Sequence, residues 1–406
     1  MAKFKTYALS VVALALFVIL TAVIWERAYI ERAIRFSGYD ILTLPIDWYT
    51  PQEIVPGNQE DSLATAAEDD RAIPDTVLRD VAQFAEEQGS LSLTILYKGE
   101  IQLEQYWEDA NRNTKFNPQS MPKSVLALLM GIAIDEGFIE SVNDPIGKYI
   151  EEWRNDPRGT ATIEQTLRMT AGLEQMVESY DANILFSRAA RYLMGPDFDS
   201  MIFDLKQVDP PGTRFDYNNE ESNVLGILIE RATGKRYTEY LSEKLWQPLG
   251  LDDAAMYLDR PNGSVMKNCC VFSRAYDWAK LGLLVSQKGN WNGKKLVPSQ
   301  WVEDMIAPSP LTDYYGYQVW LGSNYALTGI IGRPSITPPP PEGFHTDDMI
   351  VFVGFGEQRV WISPSNDLVI VRGARQWAPS WNEMYIPNLV LDAIAATDTE
   401  SEKSLN

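Results

Sequence analysis

Apolar residues follow two different rhythms along this chain. At 91–97 (Leu-Ser-Leu-Thr-Ile-Leu-Tyr) they alternate with polar neighbours, the period of a strand, and after the turn Lys98-Gly99-Glu100 residues 101–107 return as a hairpin partner. The same β-branched and aromatic character comes back only late, at 349–353, 358–363 and 368–372, between Gly and Pro-Ser-Asn-Asp turns. Elsewhere the rhythm is helical. Residues 75–87 form an amphipathic pattern, followed by 164–169, 187–194, 222–232, 237–245 and 277–286, with a hairpin-like Asn-Trp-Asn-Gly-Lys at 290–294. Strands at both ends with helices between them predict one α/β unit of the α+β type, built from both halves of the chain and interrupted by a mainly helical part.

One helical stretch stands apart. Residues 125–134 are apolar on every side apart from Gly131, which predicts a helix enclosed all round, with 135–137 (Asp-Glu-Gly) as its stop. It is preceded by Ser120-Met121-Pro122-Lys123, behind the loop sequence Asn117-Pro118-Gln119. Ser120 suits an N-cap and Pro122 is tolerated only in a first turn. Residues three apart share a helix face, so the Lys123 amine can approach the Ser120 hydroxyl, where the helix dipole favours developing negative charge. These residues alone fit equally a reaction centre and a capped core helix carrying a surface lysine.

Twenty uncharged residues, 6–25, lie between Lys5 and Glu26. As a helix they extend about 30 Å, the thickness of a bilayer's hydrocarbon core. A cleaved signal peptide would have a shorter apolar region ending in small residues, whereas this one ends in Ile24-Trp25-Glu26-Arg27. The expectation is an uncleaved single-pass anchor over 1–36 in the inner (cytoplasmic) membrane. Lys3 and Lys5 keep the start cytoplasmic, and the body faces the periplasm or cell exterior. Residues 37–74, with Pro45, Pro51, Pro56 and the acidic run 60–70, read as a linker or wrapping segment, and 397–406 as a polar, frayed tail. The eight residues 334–341, ending in four prolines, read as a stiff surface loop.

Composition narrows the function. The 406 residues are 45% hydrophobic and 11% aromatic, which excludes a disordered chain. Lys and Arg total 35 against 56 Asp and Glu, a net charge of −21, which argues against nucleic-acid binding and fits a solvated acidic surface. With one histidine, His345, and two cysteines, Cys269 and Cys270, no zinc site is expected and no disulfide framework; the cysteine pair reads as buried small-residue packing.

A Ser-Lys pair needs another group to pass a proton to the leaving atom, and Tyr217 in Phe215-Asp216-Tyr217-Asn218-Asn219 is the candidate. Lys and Tyr both titrate ordinarily near 10. Either Lys123 as ammonium favours a Tyr217 phenolate, or burial favours a neutral Lys123 amine. An ordinary half-buried tyrosine is the plainer reading of Tyr217.

Taken together, 120–124 (Ser-Met-Pro-Lys-Ser), 167–173 (Leu-Arg-Met-Thr-Ala-Gly-Leu), 211–219 (Pro-Gly-Thr-Arg-Phe-Asp-Tyr-Asn-Asn) and 291–295 (Trp-Asn-Gly-Lys-Lys) resemble the penicillin-recognising serine hydrolases. That group contains class C β-lactamases, DD-peptidases, related esterases and 6-aminohexanoate-dimer hydrolases. The resemblance covers roughly 75–394 and implies an antiparallel sheet flanked by helices, an α/β part at about 75–118 and 270–396, and a helical part at about 119–269. It also implies Ser120 as acylated nucleophile, Lys123 as its base partner, Tyr217 as general base and acid, and Asn219 as the end of a Tyr-x-Asn element.

The third element departs from the better-known members, because no Lys-Thr-Gly occurs. Gly354-Phe355-Gly356-Glu357-Gln358 resembles the strand start of the aminohexanoate-hydrolase branch, with His345-Thr346-Asp347 as a competing assignment. Backbone N–H groups of Ser120 and of Phe355 or its neighbour Gly356 would then form the oxyanion hole. Tyr180 resembles a substrate-side tyrosine of that branch or is a packing residue. An apolar Phe355 where relatives place a cation favours a neutral ester, amide or peptide-like substrate over a β-lactam or peptidoglycan terminus.

The expected function is acyl transfer to water with no metal or organic cofactor. Alternatives are a β-lactamase or DD-carboxypeptidase, and a catalytically silent envelope protein that binds through the same fold. A Ser-His-Asp triad is disfavoured, since only His345 can serve and no Gly-x-Ser-x-Gly elbow is present.

Overall fold

The computed structural model describes residues 2–36, 44, 46–176, 187–322, 343–375, 378 and 380–404. Its centre is a six-stranded antiparallel sheet of β1 (Ser90–Tyr97), β2 (Glu100–Tyr106), β3 (Trp320–Leu321), β4 (Ile350–Gly354), β5 (Gln358–Ser363) and β6 (Leu368–Ala374), in the order β2-β1-β6-β5-β4-β3. The first and last parts of the chain meet where β1 pairs with β6, Ile95 opposite Ile370. Each predicted strand appears within a residue or two of its expected position; β1, β4, β5 and β6 are buried at every position, whereas β2, at the sheet edge, is mostly half-buried.

Both faces are covered, and the alternation sorts the side chains. Leu93, Ile95, Trp361, Leu368 and Ile370 turn toward α2 (Asp75–Glu87) and the C-terminal helix α7 (Tyr385–Ser404), packing with Leu78, Val81, Ile386 and Val390. Leu96, Val360, Ile362, Val369 and Val371 turn the other way, toward α6 (Ala275–Ser286) and the helical part. The tail is a correction: α7 runs through Ser404, and the Thr397 hydroxyl donates to the Ala72 carbonyl at 3.2 Å, so the region does not begin fraying at 397.

In the helical part, α3 (Pro122–Asp135) is buried at every position from Pro122 to Ala133, as its unbroken apolar sequence predicts. Pro122 occupies its first turn and Gly137, with φ +77°, follows its end. Ser120 is not the N-cap. Met121 holds that position in helical geometry without a side-chain cap, and the serine hydroxyl is engaged elsewhere. α4 (Arg188–Met194) is capped by Ser187, and α5 (Asn219–Thr233) by Asn218, whose Oδ1 accepts from the Glu220 and Glu221 N–H groups at 2.9 and 3.3 Å.

The N-terminal apolar stretch forms one helix, α1 (Ala2–Phe36). Val11, Val12, Leu14, Leu16, Phe17, Val18 and Leu20 stand exposed on it. The expected membrane span is not carried by the structure: among the described residues no helix is long and apolar enough to cross a membrane. α1 continues unbroken through the charged Glu26, Arg27, Glu31, Arg32 and Arg35 and ends on the body, which also leaves the expected inner-membrane location without structural support. Arg32 is buried there, donating to the carbonyls of Met194, Gly195, Thr50, Leu258 and Asp259 at 2.7–3.2 Å and lying 4.0 Å from the Tyr49 ring centre.

Beyond it, the chain is a wrapping segment rather than a free tether. Residues 52–55 pair with Ala254–Tyr257, and Ala64 and Ala66 bond to Ile101 at the β2 edge.

The sheet reaches the Ser120 loop through Gly354, at the end of β4. A side-chain carbon there would overlap the Pro118 carbonyl, two residues before Ser120. Gly354→Ala should therefore push β4 off this loop and cost about 1–3 kcal/mol. Urea unfolding checks the stability, and a parallel fall in Ser120 labelling by a fluorophosphonate checks the displacement.

Candidate active site

The residues 117–120 form a tight loop ahead of α3. Asn117 Oδ1 accepts from the Gln119 N–H at 3.0 Å, and Gln119 takes a left-handed φ of +52°, which turns Ser120 toward a cavity between the sheet end and the helical part. Ser120 is half-buried and borders that cavity.

Lys123, one turn on, is buried with three oxygen partners: Ser120 Oγ at 3.0 Å, Asn219 Oδ1 at 2.8 Å and the Asn268 carbonyl at 2.8 Å. The last two can only accept. A neutral amine satisfies both with its two hydrogens and is left with a lone pair directed at the serine hydroxyl. Burial pushes the Lys123 pKa down to about 7, with Glu220 opposing the shift, so the neutral form is accessible near neutral pH. Of the two ionisation schemes left open by the sequence, the direction of this shift is toward the neutral amine.

Asn219 reaches Lys123 because Asn218 caps α5 immediately before it. Tyr217, on the other side of that cap, borders the same cavity. Its ring centre lies 5.3 Å from Lys123 Nζ and 5.1 Å from the Trp320 ring. The three residues Ser120, Lys123 and Tyr217, from two separated segments, are thus brought together.

Phe355 borders the cavity from the β4–β5 turn. Gly356 (φ +73°) and Glu357 (φ +58°) supply the turn's left-handed residues, and Gly356 is not among the cavity-lining residues. His345 pairs with Asp392 of α7 at 2.7 Å, 37% exposed and outside the cavity lining, which leaves neither the competing third element nor a histidine triad a place in this site. Tyr180 lies outside the described residues. Among the described residues no group of three or more His, Cys, Asp or Glu side chains is placed to hold a metal ion.

Four contributors were not legible from sequence. Asn268 acts through its carbonyl, which no side-chain letter marks. Glu220 borders the cavity and is buried in the first turn of α5; burial pushes its pKa up to about 7. Glu221 beside it accepts from the Ala171 N–H at 3.2 Å, tying α5 to the 167–173 phrase, and burial raises it to about 8. The fourth is the pair Cys269 and Cys270, also in the cavity wall. They are joined by a disulfide, contrary to the expectation of plain packing, because Cys270 takes a left-handed φ of +68° in a buried turn.

With this geometry in place, comparison with known proteins is decisive. Residues 78–385 match the family described as Beta-lactamase. The chain belongs to the beta-lactamase family. It is 27% identical over 314 residues to a 6-aminohexanoate-dimer hydrolase of Paenarthrobacter ureafaciens, covering 73% of this chain and 75% of that one. A candidate 6-aminohexanoate-dimer hydrolase from Bacillus anthracis superposes with a TM-score of 0.65 at 22% identity, over 92% of this chain and 94% of the other. EstCE1, a hydrolase with promiscuous acyltransferase activity, superposes with a TM-score of 0.59 at 14% identity, over 79% and 98%. The beta-lactamase family member described here is accordingly a serine hydrolase of the esterase or amidase kind.

Protonation of Lys123 fills the lone pair aimed at Ser120. The rate of fluorophosphonate labelling should therefore fall as pH drops through about 7 and level off above it. Lys123→Met should lower the plateau by about 10²- to 10⁴-fold. Stopped-time labelling across pH 5–9 measures both, and a flat profile would exclude Lys123 as the base.

Proposed function

We propose that this protein hydrolyses a neutral ester or amide with a compact apolar acyl group, through an acyl-enzyme on Ser120. The observation carrying this reading is the Lys123 amine, 3.0 Å from Ser120 Oγ with its two other partners both obligate acceptors. Lys123 takes the hydroxyl proton as Ser120 attacks the carbonyl carbon, and the resulting oxyanion is held by backbone N–H groups of Ser120 and the Phe355 turn. Tyr217 delivers a proton to the leaving alkoxide or amine. Water then enters, loses a proton to the same pair and releases the acid, regenerating the serine.

The cavity supports the substrate class. Its volume is about 120 Å³, and beyond the polar end, where Ser120, Asn219, Glu220 and Asn268 lie, its wall includes Leu44, Trp48, Leu193, Met194, Tyr257 and Met266. Apolar cavities of roughly 150 Å³ accommodate a benzene ring, so this somewhat smaller one takes a chain of about four or five carbons beyond the carbonyl. The third-element position bordering the cavity is Phe355, which offers no charge to a substrate carboxylate. The Paenarthrobacter ureafaciens relative is named as a 6-aminohexanoate-dimer hydrolase, which supports a hydrolytic reading here.

Each buried methylene adds about 0.8 kcal/mol. Among p-nitrophenyl esters, kcat/KM should rise from acetate to hexanoate by up to about 100-fold and fall for decanoate, with nitrocefin turned over poorly. Leu193→Trp, which narrows the cavity, should move the optimum to acetate or propionate, and Ser120→Ala should abolish turnover of the whole series. Preferential hydrolysis of nitrocefin would reject the neutral-acyl reading in favour of a β-lactamase.

A further inference from the structure

The Cys269–Cys270 disulfide sits at an unusual place in the network. The residue before it, Asn268, supplies the carbonyl that accepts from Lys123 Nζ at 2.8 Å. The N–H of its second cysteine donates to the Gln119 carbonyl at 3.0 Å, and Gln119 is the left-handed residue next to Ser120. One two-residue ring thus holds the nucleophile loop on one side and its base on the other. Both cysteines also border the cavity, 8% and 3% exposed, and Cys269 Sγ packs 3.3 Å from Met266 Sδ in the apolar wall.

Adjacent cysteines close a loop too short for cross-linking to restrict the unfolded chain much, since that effect grows with loop length. The bond instead fixes the local backbone on which both hydrogen bonds depend. We propose that the Cys269–Cys270 disulfide is a positioning element of the Ser120–Lys123 centre, and that its opening by a dithiol reductant slows acylation reversibly. This rests on the hydrolase reading above. In the step, a dithiol gives two electrons and two protons: the S–S bond breaks, two thiols form on the protein, and the dithiol closes to its own cyclic disulfide.

Opening the ring frees the 268–270 backbone to turn. The Asn268 carbonyl then leaves Lys123, water replaces it, and the burial that holds the amine near neutrality is relieved. A general loosening of the fold would slow labelling without a directed change in its pH dependence; loss of this particular contact moves the labelling midpoint to higher pH.

The test uses the full chain prepared without reductant. Intact mass with and without iodoacetamide gives the cysteine state, and the rate of fluorophosphonate labelling of Ser120 is followed across pH 5–10 before dithiothreitol, after it, and after reoxidation. The expected result is no alkylation at first, two alkylations after reduction, a fall in rate of at least about 10-fold at pH 7, an alkaline shift of the midpoint, and recovery on reoxidation. The double variant C269S/C270S should match the reduced protein and ignore dithiothreitol; reduction and reoxidation of the wild type keep the question decidable if that variant fails to fold. Equal rates and midpoints in both redox states, or two free thiols in the oxidised preparation, overturn the proposal alone. An oxidised wild type that never labels removes the hydrolase reading, and this proposal with it.

Discussion

A lysine amine withdrawn from water between two carbonyl-type oxygens is the constraint around which the molecule is arranged. Burying an ammonium is costly, and a protein accepts the cost either by pairing the charge or by giving up the proton. Here the pairing is incomplete. Lys123 faces one amide oxygen, one backbone carbonyl and one hydroxyl, with Glu220 the nearby carboxyl that opposes the downward shift. The same dry enclosure raises Glu220, so neither partner is fully ionised near neutrality. In its neutral form the amine keeps one free electron pair, and with its two hydrogens on Asn219 and Asn268 that pair is directed at the Ser120 hydroxyl.

Holding that arrangement requires distant parts of the chain to agree. The serine and lysine come with α3, Asn219 with α5, and the Asn268 carbonyl with the turn before α6, while β4 abuts the 118 carbonyl through a glycine. None of these segments can make the site alone. The sheet matters to the chemistry mainly as the rigid edge against which the nucleophile loop is pressed. The apolar sleeve of α3 serves the same end, since a helix packed on all sides cannot rotate its first turn.

Periodicity and side-chain chemistry made most of the fold and the centre of the site readable from the letters. Alternation located the sheet because β1 and β4–β6 are sandwiched between layers, and the unbroken apolar run located α3 for the same reason. Ser120, Lys123, Tyr217 and Asn219 carry their chemistry in their side chains, and they meet. What the letters concealed depends on backbone or context. Ser120 looked like a cap because serine caps many helices, yet its hydroxyl is turned to Lys123. Asn268 contributes a carbonyl common to every residue, and the buried state of Glu220 is set by neighbours distant in sequence, such as the Met176 N–H, 44 residues away. The cysteine pair needed a left-handed backbone that sequence does not announce, and the apolar N-terminus gave its helix but not its destination.

That destination has a mechanical consequence. Arg32 clasps carbonyls at the end of α4 and in the strand-turn region near 258–259, while Phe36, Leu44 and Trp48 form part of the reaction cavity's wall. α1 is therefore a lever arm bolted to the rim of the candidate active site rather than a flexible leash. Anything that grips its far end turns the cavity opening with it, and a torque applied there is felt first by Phe36, Leu44 and Trp48 in the cavity wall.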